Sequence, residues 1–178
     1  MSSRWTQASL NITRTQEMVI GALLAALAWL IPFAFRGTPL QLFIPVIQYS
    51  ATFGSHLPSM LAMLVSPLVA GMVGVVSTIA FTITLNPVIG ARAFTHAIWG
   101  VVGALMIQRR APFWLALVVA LPIHAVGEGL AVAWLGPGIT AGMLVAAGTV
   151  LHHILDSAIS LAVYRLVLPV IAQRQRPA

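Results

Sequence analysis

Between Met18 and Tyr164 the chain carries only six charged side chains: Arg36, Arg92, Arg109, Arg110, Glu128 and Asp156. A soluble domain usually has about a quarter of its residues charged. Here the share over the whole chain is 7%, against 60% hydrophobic. In water such a surface would be covered with apolar side chains and would aggregate, so the solvent that suits it is lipid. One spanning helix needs about 20 mainly apolar residues, so a chain of this length has room for roughly six or seven spans with short loops. No long polar stretch remains for a soluble domain. Residues 1–178 read as a single transmembrane domain.

Turn and cap signals divide the apolar sequence. A first segment runs from Met18 to Phe35, after a polar stretch 1–17 that lacks the apolar region and cleavage site of a signal peptide. Residues 36–50 are too polar for a span and too apolar for a free linker, and read as a structured extracellular loop over the membrane face. A short second segment, Thr52 to Val65, holds His56 and Pro58 near its start. Ser66-Pro67 supplies an N-cap and a proline at the first helical position, opening a third segment to Leu85. Asn86-Pro87 breaks it. The fourth runs from Ala91 to Gln108, the fifth from Pro112 to Leu135, and the sixth from Thr140 to Val170, with 171–178 as a tail. The expected fold is an all-α integral membrane protein of six transmembrane helices.

The basic residues are nine arginines and no lysine, against three acids. In a soluble protein that excess would suggest nucleic acid. Here most arginines flank apolar segments, so no nucleic-acid partner is expected. With both termini cytoplasmic, six spans put seven of the nine arginines inside and leave Arg36 and Arg92 outside, as the positive-inside rule requires. Five or seven spans spoil this agreement.

Ionisable groups at membrane depth are costly and usually have a reason to be there. In the fifth segment His124 and Glu128 share a helix face at four-residue spacing, just after the helix-weakening Pro122. In the sixth, His152 and His153 precede Asp156 by four and three residues, and Ser160 follows one turn later. The bland reading is a network tying the fifth and sixth helices together. Such spacing suits zinc, but no HExxH motif is present and these pairs more often hydrogen-bond, so no metal or other cofactor is expected. No nucleophile motif accompanies the His–Glu pair, so an enzyme is not expected. Arg92 either snorkels, pairs with Glu128, or holds a carboxylate. Asn86, His96, Glu128 and Trp134 all fall in the outer half, below the loop with Gln48 and Tyr49. That is the layout of a binding pocket. A channel would repeat polar positions along whole helices. Candidate binding residues are Arg92, His96, Glu128, His124, Asn86, Gln48, Tyr49, Trp134 and His153, with Tyr49, Trp99 and Trp134 available to stack on a ring. In the first segment Ala22 and Ala26 form a small-xxx-small pair at the opposite, cytoplasmic end.

These features resemble the substrate-binding S components of energy-coupling factor vitamin transporters. The sequence FGSHLPSMLAML from Phe53 to Leu64, the VSPLVAG after it, and RAFTHAIWGVVGAL from Arg92 to Leu105 are similar to S components assigned to nicotinate or related vitamins. The resemblance implies six helices, an outward pocket closed by the loop after the first helix, and an AxxxA contact (Ala22 and Ala26) with a shared transmembrane coupling subunit. It also implies two ATP-binding subunits as partners, in keeping with the lack of a GxxxxGK[ST] motif in the chain. The protein is then a subunit of an importer in a bacterial cell membrane, with no catalytic residues of its own. Its expected ligand is nicotinate first, pantothenate second, and hydroxymethylpyrimidine or a pyridoxine-like compound third. A self-sufficient secondary transporter or channel, and an intramembrane enzyme using His124 with Glu128 or His152/His153 with Asp156, are the rival readings.

Overall fold

A computed structural model describes residues 12–174, with side chains through Val167. The stretch 1–11, the tail beyond 174, and with them Arg4 and Arg176, lie outside the described residues. Helix α1 (Arg14–Ala34) starts four residues before the expected Met18. A capping box explains this: Thr13 Oγ accepts from Gln16 N–H at 3.3 Å, and the Gln16 side chain accepts from Thr13 N–H at 2.8 Å. Helices α3 (Pro67–Thr84), α4 (Pro87–Gln108), α5 (Phe113–Leu135) and α6 (Ile139–Arg174) follow the expected segments closely. Ser66 and Asn86 both act as N-caps ahead of a proline, accepting from Val69 N–H at 3.2 Å and Ile89 N–H at 3.0 Å. The Asn86-Pro87 break is therefore also a helix start.

The second segment differs from expectation. It contains only a six-residue helix, α2 (Leu57–Ala62), roughly 9 Å long at 1.5 Å per residue. Among the described residues, five helices are long and apolar enough to cross a membrane; α2 is not one of them. Nor is the fold purely helical. The 36–50 loop and the start of the second segment form a hairpin of β1 (Gln41–Ile44) and β2 (Tyr49–Thr52), registered Gln41 to Thr52 and Ile44 to Tyr49. The 3-10 turn Pro45–Ile47 and a left-handed Gln48 (φ 55°) join the strands.

The chain nevertheless crosses the bundle between α1 and α3. Gly21 lies against Val69, while Phe33 packs on the cluster of Phe81 and Ile89, so α1 and α3 are parallel and the chain must return between them. Ser66 closes this return by donating to Glu17 at the start of α1. The crossing descends beside α6: Tyr49 against Gly148, Thr52 bonded to His152, Gly54 to Asp156, and Ser160 donating to the Met60 sulfur. Contacts between successive long helices, such as Gly74 with Ala97, Thr95 with Gly127 and His124 with His153, make α3 to α6 antiparallel in sequence. The start of α1 and the end of α6 therefore lie at the same end of the bundle.

Non-helical backbone at membrane depth is tolerated only where protein satisfies its polar groups. Here α6 does so. Asp156 accepts from the backbone N–H of Gly54 (2.8 Å) and of His56 (3.0 Å), and His152 Nε2 donates to the Thr52 carbonyl at 2.9 Å. Gly54 takes φ 76°, a left-handed conformation open to glycine, so the strand can turn into α2. Pro67 disfavours a helical Ser66 and separates α2 from α3.

The main core packs α1 (Ala25, Ala28), α2 (Met60, Ala62) and α3 (Val69, Val73) against Trp99 of α4 and Ala116 and Ala120 of α5. The tightest helix approach is between α3 and α4, where a Cβ on Gly74 would collide with the Ala97 backbone. Small residues permit such approach in lipid, where dispersion rather than water expulsion drives association. Gly74→Val is expected to destabilise the protein by about 1–3 kcal/mol. Gly100→Ala, whose methyl would meet Ala70 at 3.4 Å, should be close to neutral. Melting curves in detergent will separate the two; equal melting temperatures would mean that α3 and α4 do not depend on the Gly74 contact.

Candidate functional site

A cavity of about 260 Å³ lies between the upper half of α1, the hairpin, the end of α3 and the start of α4. Its walls are apolar (Ala28, Pro32 and Phe33 from α1, Phe43 from β1, Phe81 and Leu85 from α3, Ile89 and Ala93 from α4). Polar groups are concentrated on one side: Arg92, His96, Glu128, His56, His152, Thr52 and Ser55, with Asn86, Gln41, Ser50 and Arg36 completing the lining. A mostly apolar concavity with a few convergent polar groups is the usual form of a small-molecule site.

Glu128 organises the polar side. Its Oε2 accepts from Arg92 at 2.7 and 3.2 Å and from Thr149 Oγ1 at 2.7 Å. Its Oε1 lies 3.2 Å from His124 Nε2 and 3.8 Å from His96 Nε2. Arg92 also donates to the backbone carbonyls of Gln48 and Ser50, so one guanidinium ties α4 to α5 and to the hairpin. Of the readings weighed for Arg92, the structure has it paired with Glu128, and both side chains are buried. The Tyr49 ring packs 5.5 Å from the Arg92 guanidinium.

Three other imidazole rings gather around His56. Its ring centroid is 4.5 Å from those of His124 and His152 and 4.8 Å from that of His96. Its Nδ1 is bonded to Asp156 Oδ2 at 3.0 Å. His152 Nε2 lies 3.2 Å from the same oxygen. One atom each from His56, His96, His124 and Glu128 fall within 4.8 Å of one another, as do atoms of His56, His152 and Asp156. Both groups have the donor types of a metal site.

The structure brings together Arg92, His96, His124, Glu128 and Asn86 of the expected binding residues. Gln48 and Tyr49 stand behind this group. The Gln48 side chain accepts from Asn86 at 3.1 Å, and Tyr49 is buried against Gly148. His153 lies deeper, 3.0 Å from His124 and 3.0 Å from the Leu117 carbonyl. It does not join Asp156, which His152 does. Trp134 is not brought to the cavity; it points outward, 85% exposed. Six residues beyond Glu128 at 100° each place it about 120° round the helix, a signal the sequence already carried. The expected network between α5 and α6 is present through His153 with His124 and Thr149 with Glu128, whereas Asp156 and His152 bind α6 to the irregular crossing. Sequence reasoning missed His56, because the segment holding it read as a span, and Arg36, which lines the cavity without a carboxylate partner among the described residues. Ala22 and Ala26 are exposed on α1, whereas Gly21 and Ala25 on the neighbouring face are buried.

No protein-family model matches the chain, and no solved structure matches it. It is similar to the niacin transporter NiaX of Lactococcus lactis subsp. cremoris (strain MG1363), 33% identical over 101 residues. The match covers 56% of this chain and 43% of that protein's length. The chain thus spans under half the length of that relative, and its five long apolar helices are those of a multi-pass membrane protein.

Proposed function

We propose that the chain is the membrane-embedded binding subunit of an ATP-driven vitamin importer of the energy-coupling factor kind, with nicotinate as its first-choice ligand. The observation that carries this reading is the closed-floored cavity: apolar and aromatic on one side, hydrogen-bonding on the other, and of a size for one small ring. The similarity to a niacin transporter agrees with it. Among the described residues Arg14, Arg109, Arg110 and Arg165 sit towards the end opposite the cavity, and the positive-inside rule supports a cavity that faces outward with both termini in the cytoplasm. The six passes are then five helices and one irregular crossing.

Niacin is a pyridine carboxylic acid. Arg92 is already neutralised by Glu128, so the ligand carboxylate falls to Arg36 at the cavity wall, while Arg92, Asn86 and His96 order the polar side. Pantothenate and then a hydroxymethylpyrimidine or pyridoxine-like compound follow as ligands. The exposed Ala22 and Ala26 give the coupling subunit a face with no bulky side chain at these positions.

The test is calorimetry of the purified chain against a vitamin panel, with nicotinamide as the uncharged control. Nicotinate should bind and nicotinamide bind less well. Arg36→Ala should weaken nicotinate roughly 10- to 100-fold, the value of about 1.5–3 kcal/mol for a hydrogen bond to a charged group. Ala26→Trp should leave binding unchanged and reduce uptake in cells that supply the coupling and ATP-binding subunits. Binding of no vitamin rejects the proposal. Uptake by the chain alone in liposomes supports the secondary-transporter reading, and turnover of a panel compound supports the enzyme.

A further inference from the structure

The hydrogen-bond partners of the buried imidazoles dictate where their protons lie. His153 Nε2 is 3.0 Å from the Leu117 carbonyl, which can only accept, so this nitrogen carries the proton. In a neutral ring His153 Nδ1 is then an acceptor. His124 Nδ1, 3.0 Å away, must donate to it. That leaves His124 Nε2 as a bare lone pair, 3.2 Å from Glu128 Oε1, which is also an acceptor. His56 donates from Nδ1 to Asp156, so its other nitrogen is bare as well. His96 Nε2 is buried with no hydrogen-bond partner, 3.8 Å from the same Glu128 oxygen. Lone pairs of His56, His124 and Glu128 thus converge beside His96 Nε2, which has no hydrogen-bond partner in either tautomer. A proton on His124 would satisfy Glu128 but leave His96 orphaned. Buried polar groups without partners are rare and demand a cause.

We propose that His56, His96, His124 and Glu128 form a binding site for one divalent first-row metal ion of the zinc class at the floor of the cavity. Three imidazoles and a carboxylate, with no thiolate, match zinc and its neighbours. In a tetrahedron with bonds of about 2.0–2.2 Å, ligand atoms are roughly 3.3 Å apart. Glu128 Oε1 already lies 3.2 Å from His124 and 3.8 Å from His96, and the whole set lies within 4.8 Å, so modest side-chain closure completes the site. Ligating histidines usually pass their second N–H to a carboxylate, carbonyl or other acceptor. His56 does so to Asp156 and His124 to His153. The buried charges here are two carboxylates and one guanidinium, which leaves room for a cation. His56, His96 and Glu128 also line the cavity, providing the entry path, while His124 closes the site from beneath. The companion group, His56 with His152 and Asp156, has a different explanation, since Asp156 is occupied by two backbone N–H groups. The sequence reading expected hydrogen bonding and no metal; the mutual exclusion of donors is visible only in three dimensions.

This site stands whether or not a vitamin is the ligand. The test uses the full chain, purified with a histidine-free tag, stripped with chelator, and titrated with zinc chloride by calorimetry. We expect one zinc per chain at micromolar affinity or better. Cobalt(II) in its place should give the intense visible bands of a tetrahedral ion. His96→Gln breaks no existing hydrogen bond and so should fold; it should weaken zinc at least tenfold and dim the cobalt bands. His124→Gln, judged by its melting curve, is the second variant. No zinc uptake by the wild type, or equal uptake by folded His96→Gln, overturns the site. Vitamin titrations of stripped and zinc-loaded protein keep the two ideas apart. Nicotinate binding without any zinc binding removes the metal and leaves the importer, whereas zinc binding with no vitamin binding does the reverse.

Discussion

Asp156→Ala should unfold the irregular crossing and lower the melting temperature in detergent by about 6–20 °C. The carboxylate is fully buried and accepts from Gly54 N–H, His56 N–H and His56 Nδ1. Removing it strands two backbone donors where neither water nor a neighbouring turn can replace it. Breaking a buried charged network of this kind costs about 3–5 kcal/mol, and each kcal/mol moves the melting point of a chain of this size by roughly 2–4 °C. Asp156→Asn retains one acceptor oxygen but turns an amide N–H₂ toward the second donor, so its loss should fall between wild type and alanine. A melting temperature for Asp156→Ala within 2 °C of wild type, read by intrinsic fluorescence, would falsify the view that Asp156 holds the crossing in place.

The second large effect belongs to Arg92 and Glu128. Glu128→Leu leaves the Arg92 guanidinium buried without its counter-charge, and should cost about 3–5 kcal/mol. Replacing both partners at once, Arg92→Met with Glu128→Leu, should recover much of that loss, because desolvating the pair opposes its attraction and apolar replacements avoid that cost. Recovery will be incomplete, since Arg92 also donates to the Gln48 and Ser50 carbonyls and pins the hairpin. A double-mutant cycle on melting temperatures provides the check. Strict additivity would mean that the two residues do not act as a pair.

Much of the scaffold was legible without coordinates. Each long helix is bounded by a local signal whose chemistry needs no tertiary partner: Ser66-Pro67, Asn86-Pro87, Arg109-Arg110 and Gly136-Pro137-Gly138. Thr13 with Gln16 was equally local, yet went unused because the apolar pattern begins only at Met18. The second segment was not legible in this way. Thr52 to Val65 is apolar enough to read as a span, but its conformation is decided by Asp156, a hundred residues away. A backbone N–H captured by a distant carboxylate leaves no mark on local hydropathy. The site was half visible for the same reason. His124 and Glu128 are one turn apart on one helix, so their meeting follows from helical geometry, whereas His56 reaches them only because the crossing is irregular.

The sequence by itself determined the solvent, the five long helices, their alternation through the bundle and the depth of its ionisable residues, since all of these rest on composition, periodicity and caps. Tertiary structure alone decided that the chain between α1 and α3 returns as a strand and a short helix held by α6, and that the Arg92 charge is answered by Glu128. It also decided that three histidines from separate elements face one carboxylate oxygen. Those outcomes depend on which unsatisfied backbone groups and buried charges come within hydrogen-bonding distance once the helices have packed, and that distance is unrelated to separation along the chain.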